Sequence, residues 1–187
     1  AHQGINAATA IEAVTRFLPA RSLDEDVILE GLAATRAPGR IETIRSEGRA
    51  PVVLDVAHNP DGISALISAL IEGFAFEHIH FVIGVLADKD FVGMLTELRR
   101  VPCTVYATAP SGVTPVPVED LKEAAEVQGV EVVTVPDARA AVQKARDAAG
   151  AGDLVCVTGS HYVVGEVRAL VRLVEIGPGG EERQTGP

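Results

Sequence analysis

Three short stretches gather the side chains that could do chemistry. Asp55-Val56-Ala57-His58-Asn59-Pro60 brings a carboxylate and an imidazole together, Asp88-Lys89-Asp90 sets an ammonium between two carboxylates, and Thr158-Gly159-Ser160-His161 offers hydroxyls and another imidazole. Asp55 sits near the end of an apolar run, where a carboxylate is costly to bury without partners. Helix capping by Asn59 or Asp61, with Pro60 in the first turn, accounts for Asn59 and Pro60 but not for Asp55 and His58. Those two are therefore read as functional, and Asn59 stands open between the two readings. By spacing alone, Asp88-Lys89-Asp90 is a solvated turn with Asp90 as a cap. The Ser160 stretch reads as a helix start, whose free N–H groups and hydroxyl favour a carboxylate or phosphate. His78 and His80 flank a strand start and read as structural, and Cys103 and Cys156 as buried thiols rather than a disulfide or metal framework.

These stretches need a frame that brings them together. From Arg40 onward, strand-like runs at 41–45, 52–56, 79–85, 104–108, 130–135 and 154–158 alternate with helix-like runs at 62–73, 91–100, 118–128, 138–149 and 162–174. That order predicts a Rossmann-like, doubly wound α/β fold with a mainly parallel, six-stranded sheet. The link at 46–50 is too short for a parallel crossover, so the first two strands form an antiparallel hairpin at the edge. In such sheets ligands bind beyond the carboxyl ends of the strands, where all three stretches fall. Ahead of the sheet, apolar residues at Ala7, Ala10, Ile11, Val14, Phe17 and Leu18 predict a helix ended by Pro19. Ser22 and Glu25 form a capping-box pattern for a second helix reaching about Ala34. Pro38 and Gly39 punctuate the change of pattern and mark a domain boundary near 35–40.

Composition narrows the function. Of the 187 residues 47% are hydrophobic, with no tryptophan and few aromatics, which suits a Val, Leu, Ile and Ala core under a parallel sheet. The net charge is -10 and there is no basic stripe, so nucleic acid is not an expected partner. No apolar run approaches the roughly 20 residues of a membrane span and no signal peptide is visible, so a cytoplasmic protein is expected. The glycine-rich, charged stretch 175–187 has no apolar face and reads as a disordered tail. No GxxxxGK[ST] phosphate loop occurs in the chain, and the sequence, opening on Ala1, reads as part of a longer protein.

Five motifs in order resemble the Mur ligase superfamily, and within it the folylpolyglutamate synthase/dihydrofolate synthase branch: HQxxNAATA at 2–10, APGRIE at 37–42, LDVAHNPDG at 54–62, GVLADKD at 84–90 and VTGSHYVVGEV at 157–167. The resemblance implies that residues 1–35 are the last helices of a central ATPase domain and that 36–174 are the ligase's C-terminal domain. It implies a folate-pathway reaction in which ATP, with Mg²⁺, phosphorylates a pterin or folate carboxylate and L-glutamate then displaces phosphate to give an amide. It assigns Asn6 to adenine, Arg40 to the ATP phosphates and Asp55 to the ribose hydroxyls. His58 is placed at the reaction centre against phosphate or glutamate, Lys89 and Ser160 on glutamate carboxylates, and no metal ligand among these residues. The phosphate loop and most Mg²⁺ ligands are expected in the remainder of a monomeric parent polypeptide, so the chain alone is expected to be inactive. Domain closure is expected to pivot near 35–40. Two other readings are a non-catalytic Rossmann-like nucleotide or amino-acid binding module and the C-terminal domain of a cell-wall Mur ligase.

Overall fold

The computed structural model describes residues 2–18 and 24–173. The expected Ser22 cap, Pro19 stop and C-terminal tail lie outside them. The chain divides into two compact units, Ala1–Pro38 and Gly39–Pro187. The first carries α1 (His2–Phe17) and α2 (Glu25–Ala34). None of its described residues is buried. Among the described residues no helix is long and apolar enough to cross a membrane.

The second unit holds the sheet. In chain order it contains β1 (Glu42–Ile44), β2 (Val52–Leu54), α3 (Pro60–Gly73), β3 (Ile79–Ile83), α4 (Phe91–Leu98), β4 (Cys103–Ala107), α5 (Val118–Val127), β5 (Glu131–Thr134), α6 (Ala138–Ala148), β6 (Leu154–Thr158) and α7 (His161–Leu173). The strands lie in the order β1-β2-β6-β3-β4-β5. The edge pair β1–β2 is antiparallel and every other pair is parallel, with Phe81 facing both Cys156 and Val105. This is the expected doubly wound sheet with its edge hairpin.

Burial explains the layering. All five residues of β3 and of β6 are buried, as strands covered on both faces require. Ile63, Leu66, Ile67 and Leu70 of α3, Met94 and Leu95 of α4 and Leu121 of α5 pack one face. Val142 and Ala145 of α6 and Val163, Val167 and Val171 of α7 pack the other. Each fully buried Leu, Ile or Val contributes about 1.5–3 kcal/mol relative to exposure. β3 and β6 lie side by side, and the helices that follow them pack on opposite faces. That puts the switch point favoured by ligands in such sheets at the carboxyl ends of these two strands.

His80 is buried beneath this layer, with ring nitrogens 3.3 Å from Tyr106 Oη and from Asp153 Oδ2. His78 Nε2 lies 3.0 Å from Thr104 Oγ1. Both are structural. Cys156 is buried and Cys103 partly so. Burial, with the Glu131 charge, pushes the Cys103 thiol up to about 11.

Candidate functional site

The site begins where β2 stops. Beyond Leu54 the chain stays tied to its neighbours: Asp55 N–H donates to Val157 O (3.0 Å) and Val56 N–H to Gly39 O (2.9 Å). Asp55 is 6% exposed. Its Oδ1 accepts from Ala57 N–H and its Oδ2 from Ile41 N–H, each at 2.9 Å. Ile41 has φ +50°, a left-handed conformation that is an outlier for a β-branched residue. Asp55 thus holds a strained turn, and the second lone pair of each oxygen is what it retains for a ligand. Burial pushes its carboxyl up. The two backbone hydrogen bonds and the charges of Arg40 and His161 act in the opposite direction.

His58 follows, half-buried, with Nδ1 2.9 Å from Val56 O. A carbonyl only accepts, so Nδ1 carries a proton, and in the neutral ring Nε2 is the acceptor. Asn59 caps α3, accepting Gly62 N–H at 2.7 Å, and Pro60 opens the helix. The local capping reading therefore accounts for Asn59.

The turn after β3 lies alongside. Lys89 Nζ donates to Asp88 Oδ2 at 2.8 Å, and that ammonium holds the exposed Asp88 carboxyl below its usual range. Asp90 caps α4 through Gly93 N–H. A Cβ on Gly93 would come within 2.7 Å of Pro60 Cγ, so the starts of α3 and α4 touch. His58 also lies close enough to act on the Asp88 charge.

The turn after β6 completes the group. Gly159 N–H and Thr158 Oγ1 both donate to Ala57 O, at 2.9 and 3.3 Å. Ser160, expected to hold a glutamate carboxylate, is fully buried, and its Oγ accepts Val163 N–H at 3.2 Å. In this conformation it caps α7. The next residue, His161, is exposed, with its ring centroid 5.6 Å from that of His58. The motif-based assignment passed over His161, although its place just after a central strand was visible in the sequence.

The structure thus joins Asp55, His58, Lys89 and His161 at one sheet edge. Arg40 is exposed beside Asp55, and its guanidinium makes no hydrogen bond or ion pair with any described residue. Asn6 lies exposed on α1, in the other unit. Among the described residues no group of three or more His, Cys, Asp or Glu side chains could hold a metal ion, so these residues do not fit Mg²⁺. An unpaired planar guanidinium, an acceptor imidazole and an ammonium do suit a phosphate and an amino acid.

Residues 39–161 match the Mur ligase family's glutamate ligase domain. The dihydrofolate synthase/folylpolyglutamate synthase of Mycobacterium tuberculosis is 36% identical over 90% of this chain and 38% of its own length. The structure of Escherichia coli FolC in complex with DHPP and ADP superposes with a TM-score of 0.78 at 30% identity, covering 90% of this chain and 39% of that one. A bifunctional folylpolyglutamate synthase/dihydrofolate synthase with Mn, AMPPNP and L-glutamate bound superposes at 0.70 and 29% identity, over 80% and 36% of the two chains. The chain thus spans about two fifths of the length of these relatives. The chain belongs to the Mur ligase family, with that family's glutamate ligase domain at residues 39–161 and relatives in the folylpolyglutamate synthase/dihydrofolate synthase branch.

Proposed function

We propose that this chain is the amino-acid-binding portion of an ATP-dependent ligase that adds L-glutamate to dihydropteroate or a folate through an acyl phosphate. The observation that carries the reading is the convergence of His58, Lys89 and His161 at the ends of β2, β3 and β6. Relatives whose structures hold AMPPNP and L-glutamate, or DHPP and ADP, support it.

In the proposed reaction the amine of L-glutamate attacks the acyl carbon, the carbon–oxygen bond to phosphate breaks, and phosphate leaves with the electron pair and takes up the proton that the amine loses. His58 Nε2 faces the reacting amine or the phosphate, and Lys89 holds a glutamate carboxylate. Ser160 serves by fixing the start of α7, where free N–H groups favour an anion. Arg40 forks onto the ATP phosphates, Asp55 accepts from the ribose with its remaining lone pairs, and Asn6 contacts adenine. Residues 1–35 are the last helices of the ATPase domain, and 36–174 form the C-terminal domain. Mg²⁺ and the phosphate loop belong to the rest of the polypeptide, without which the chain is inactive. Closure about 35–40 brings Arg40, His58 and glutamate onto ATP and keeps water from the acyl phosphate.

The test is an NMR titration of the isotope-labelled chain with L-glutamate, using D-glutamate, L-aspartate and L-lysine as controls. Saturable shifts at His58, Lys89 and His161 for L-glutamate, weakened about tenfold in Lys89→Ala, are expected. A stronger response to L-lysine would reassign the amino acid. Absence of any response to L-glutamate would remove the preformed amino-acid site.

A further inference from the structure

Glu42 stands two residues after Arg40 and, among the described residues, pairs with two arginines at once. Its Oε2 accepts Gly39 N–H at 2.9 Å and Arg168 Nε–H at 2.8 Å. Its Oε1 accepts from Arg168 Nε at 3.1 Å and from Arg172 through Nε (2.9 Å) and Nη2 (2.6 Å). Both arginines lie on α7, 126 and 130 residues along the chain. The Glu42 side chain is only 12% exposed. Burial alone would raise its carboxyl. The hydrogen bonds from Arg168, Gly39 and Arg172 outweigh it and hold the group below its usual range.

The turn that Glu42 closes is strained and tightly seated. Gly39 has φ +69°, and a Cβ there would meet Val56 Cγ1 at 2.9 Å and Val164 Cγ1, on α7, at 3.3 Å. Ile41 has φ +50° and is held by Asp55. Such conformations persist only where the surroundings over-determine them. The residues on both sides of Arg40 are therefore fixed, while its guanidinium is free. An ordinary surface ion pair contributes little. This one sits at the foot of the free cation, and the same helix α7 begins at His161, against His58.

We propose that Glu42, gripped by Arg168 and Arg172, is a positioning residue for Arg40: it seats the turn at 39–42 on α7 and so sets the backbone from which Arg40 reaches a nucleotide phosphate. One helix then fixes both the arginine and the histidine pair. This rests on the reading of Arg40 as the phosphate-contacting residue, and two measurements keep the two ideas apart.

The first is amide hydrogen exchange on the chain. Glu42→Gln, and separately R168K with R172K, which keeps the charges and loses the planar forks, should cut protection at Gly39 by about tenfold and leave β3 unchanged. Unchanged protection at Gly39 overturns the clamp. The second is steady-state kinetics of the complete ligase polypeptide carrying R40A, E42Q or both. E42Q should raise the KM for ATP about tenfold with little change in the KM for glutamate, and should add nothing in the R40A background. Additive effects overturn the positioning role. An R40A enzyme with unchanged ATP kinetics overturns it through the Arg40 reading, and the exchange data then still stand as a finding about the turn.

Discussion

Asp55 shows how one side chain serves backbone and site together. Two N–H groups, from partly buried Ile41 and buried Ala57, each need an acceptor, and the carboxylate supplies one oxygen to each. A carboxamide has one acceptor oxygen, so Asp55→Asn leaves one N–H facing an NH₂ group and removes the tie on a left-handed isoleucine. We expect a loss of about 1–3 kcal/mol, seen as a lower urea midpoint with unchanged slope. A midpoint equal to wild type would show that the turn holds itself. That Asp55 does more than cap a helix was legible from the cost of burying a charge in an apolar run. The Ile41 partner was not legible, because the left-handed backbone of a β-branched residue has no signature in sequence. The same limit applies to Ser160: its place at a helix start was legible, and its full burial was not.

At the scale of elements, the site depends on how closely two turns approach. Gly159 has φ +102°, and a Cβ there would lie 2.8 Å from both Gly84 O and Ile83 Cγ1. Gly159→Ala must therefore separate the turns after β3 and β6 as well as strain its own backbone. The expected loss is about 2–4 kcal/mol by chemical denaturation, with the contact between the His58 and His161 rings weakened in NMR spectra. A loss below about 0.5 kcal/mol would mean the turns have room to part. Helix starts were mostly readable, because caps are local: Asp90 and Asp137 accept the N–H three residues on, as their positions suggest. Strand ends were less so. The run expected at 52–56 stops pairing as β2 at Leu54, where Val56 turns to Gly39.

At the scale of the whole molecule, every buried residue among those described lies at position 39 or beyond. In the first unit Phe17 is 85% exposed and Ile5 66%. Two helices with no fully buried residue among those described have no core of their own. A chain of residues 39–173 should therefore melt in one cooperative transition, with Tm within about 5 °C of the longer chain. Loss of that transition would show that the first unit is part of the sheet's folding unit.

The sequence alone determined the fold class, the order of the elements, the edge hairpin and the family. Each is written in local periodicity, in turn residues or in short motifs whose spacing survives without coordinates. It also placed Asp55, His58, Lys89 and Ser160 just beyond the strands' carboxyl ends. Tertiary structure decided which of those residues meet. His161 joins His58 because β6 inserts between β2 and β3, and Glu42 finds Arg168 and Arg172 because α7 returns over β2. Contacts between residues more than a hundred positions apart are set by strand order and by packing on both faces of the sheet, and no local pattern encodes them.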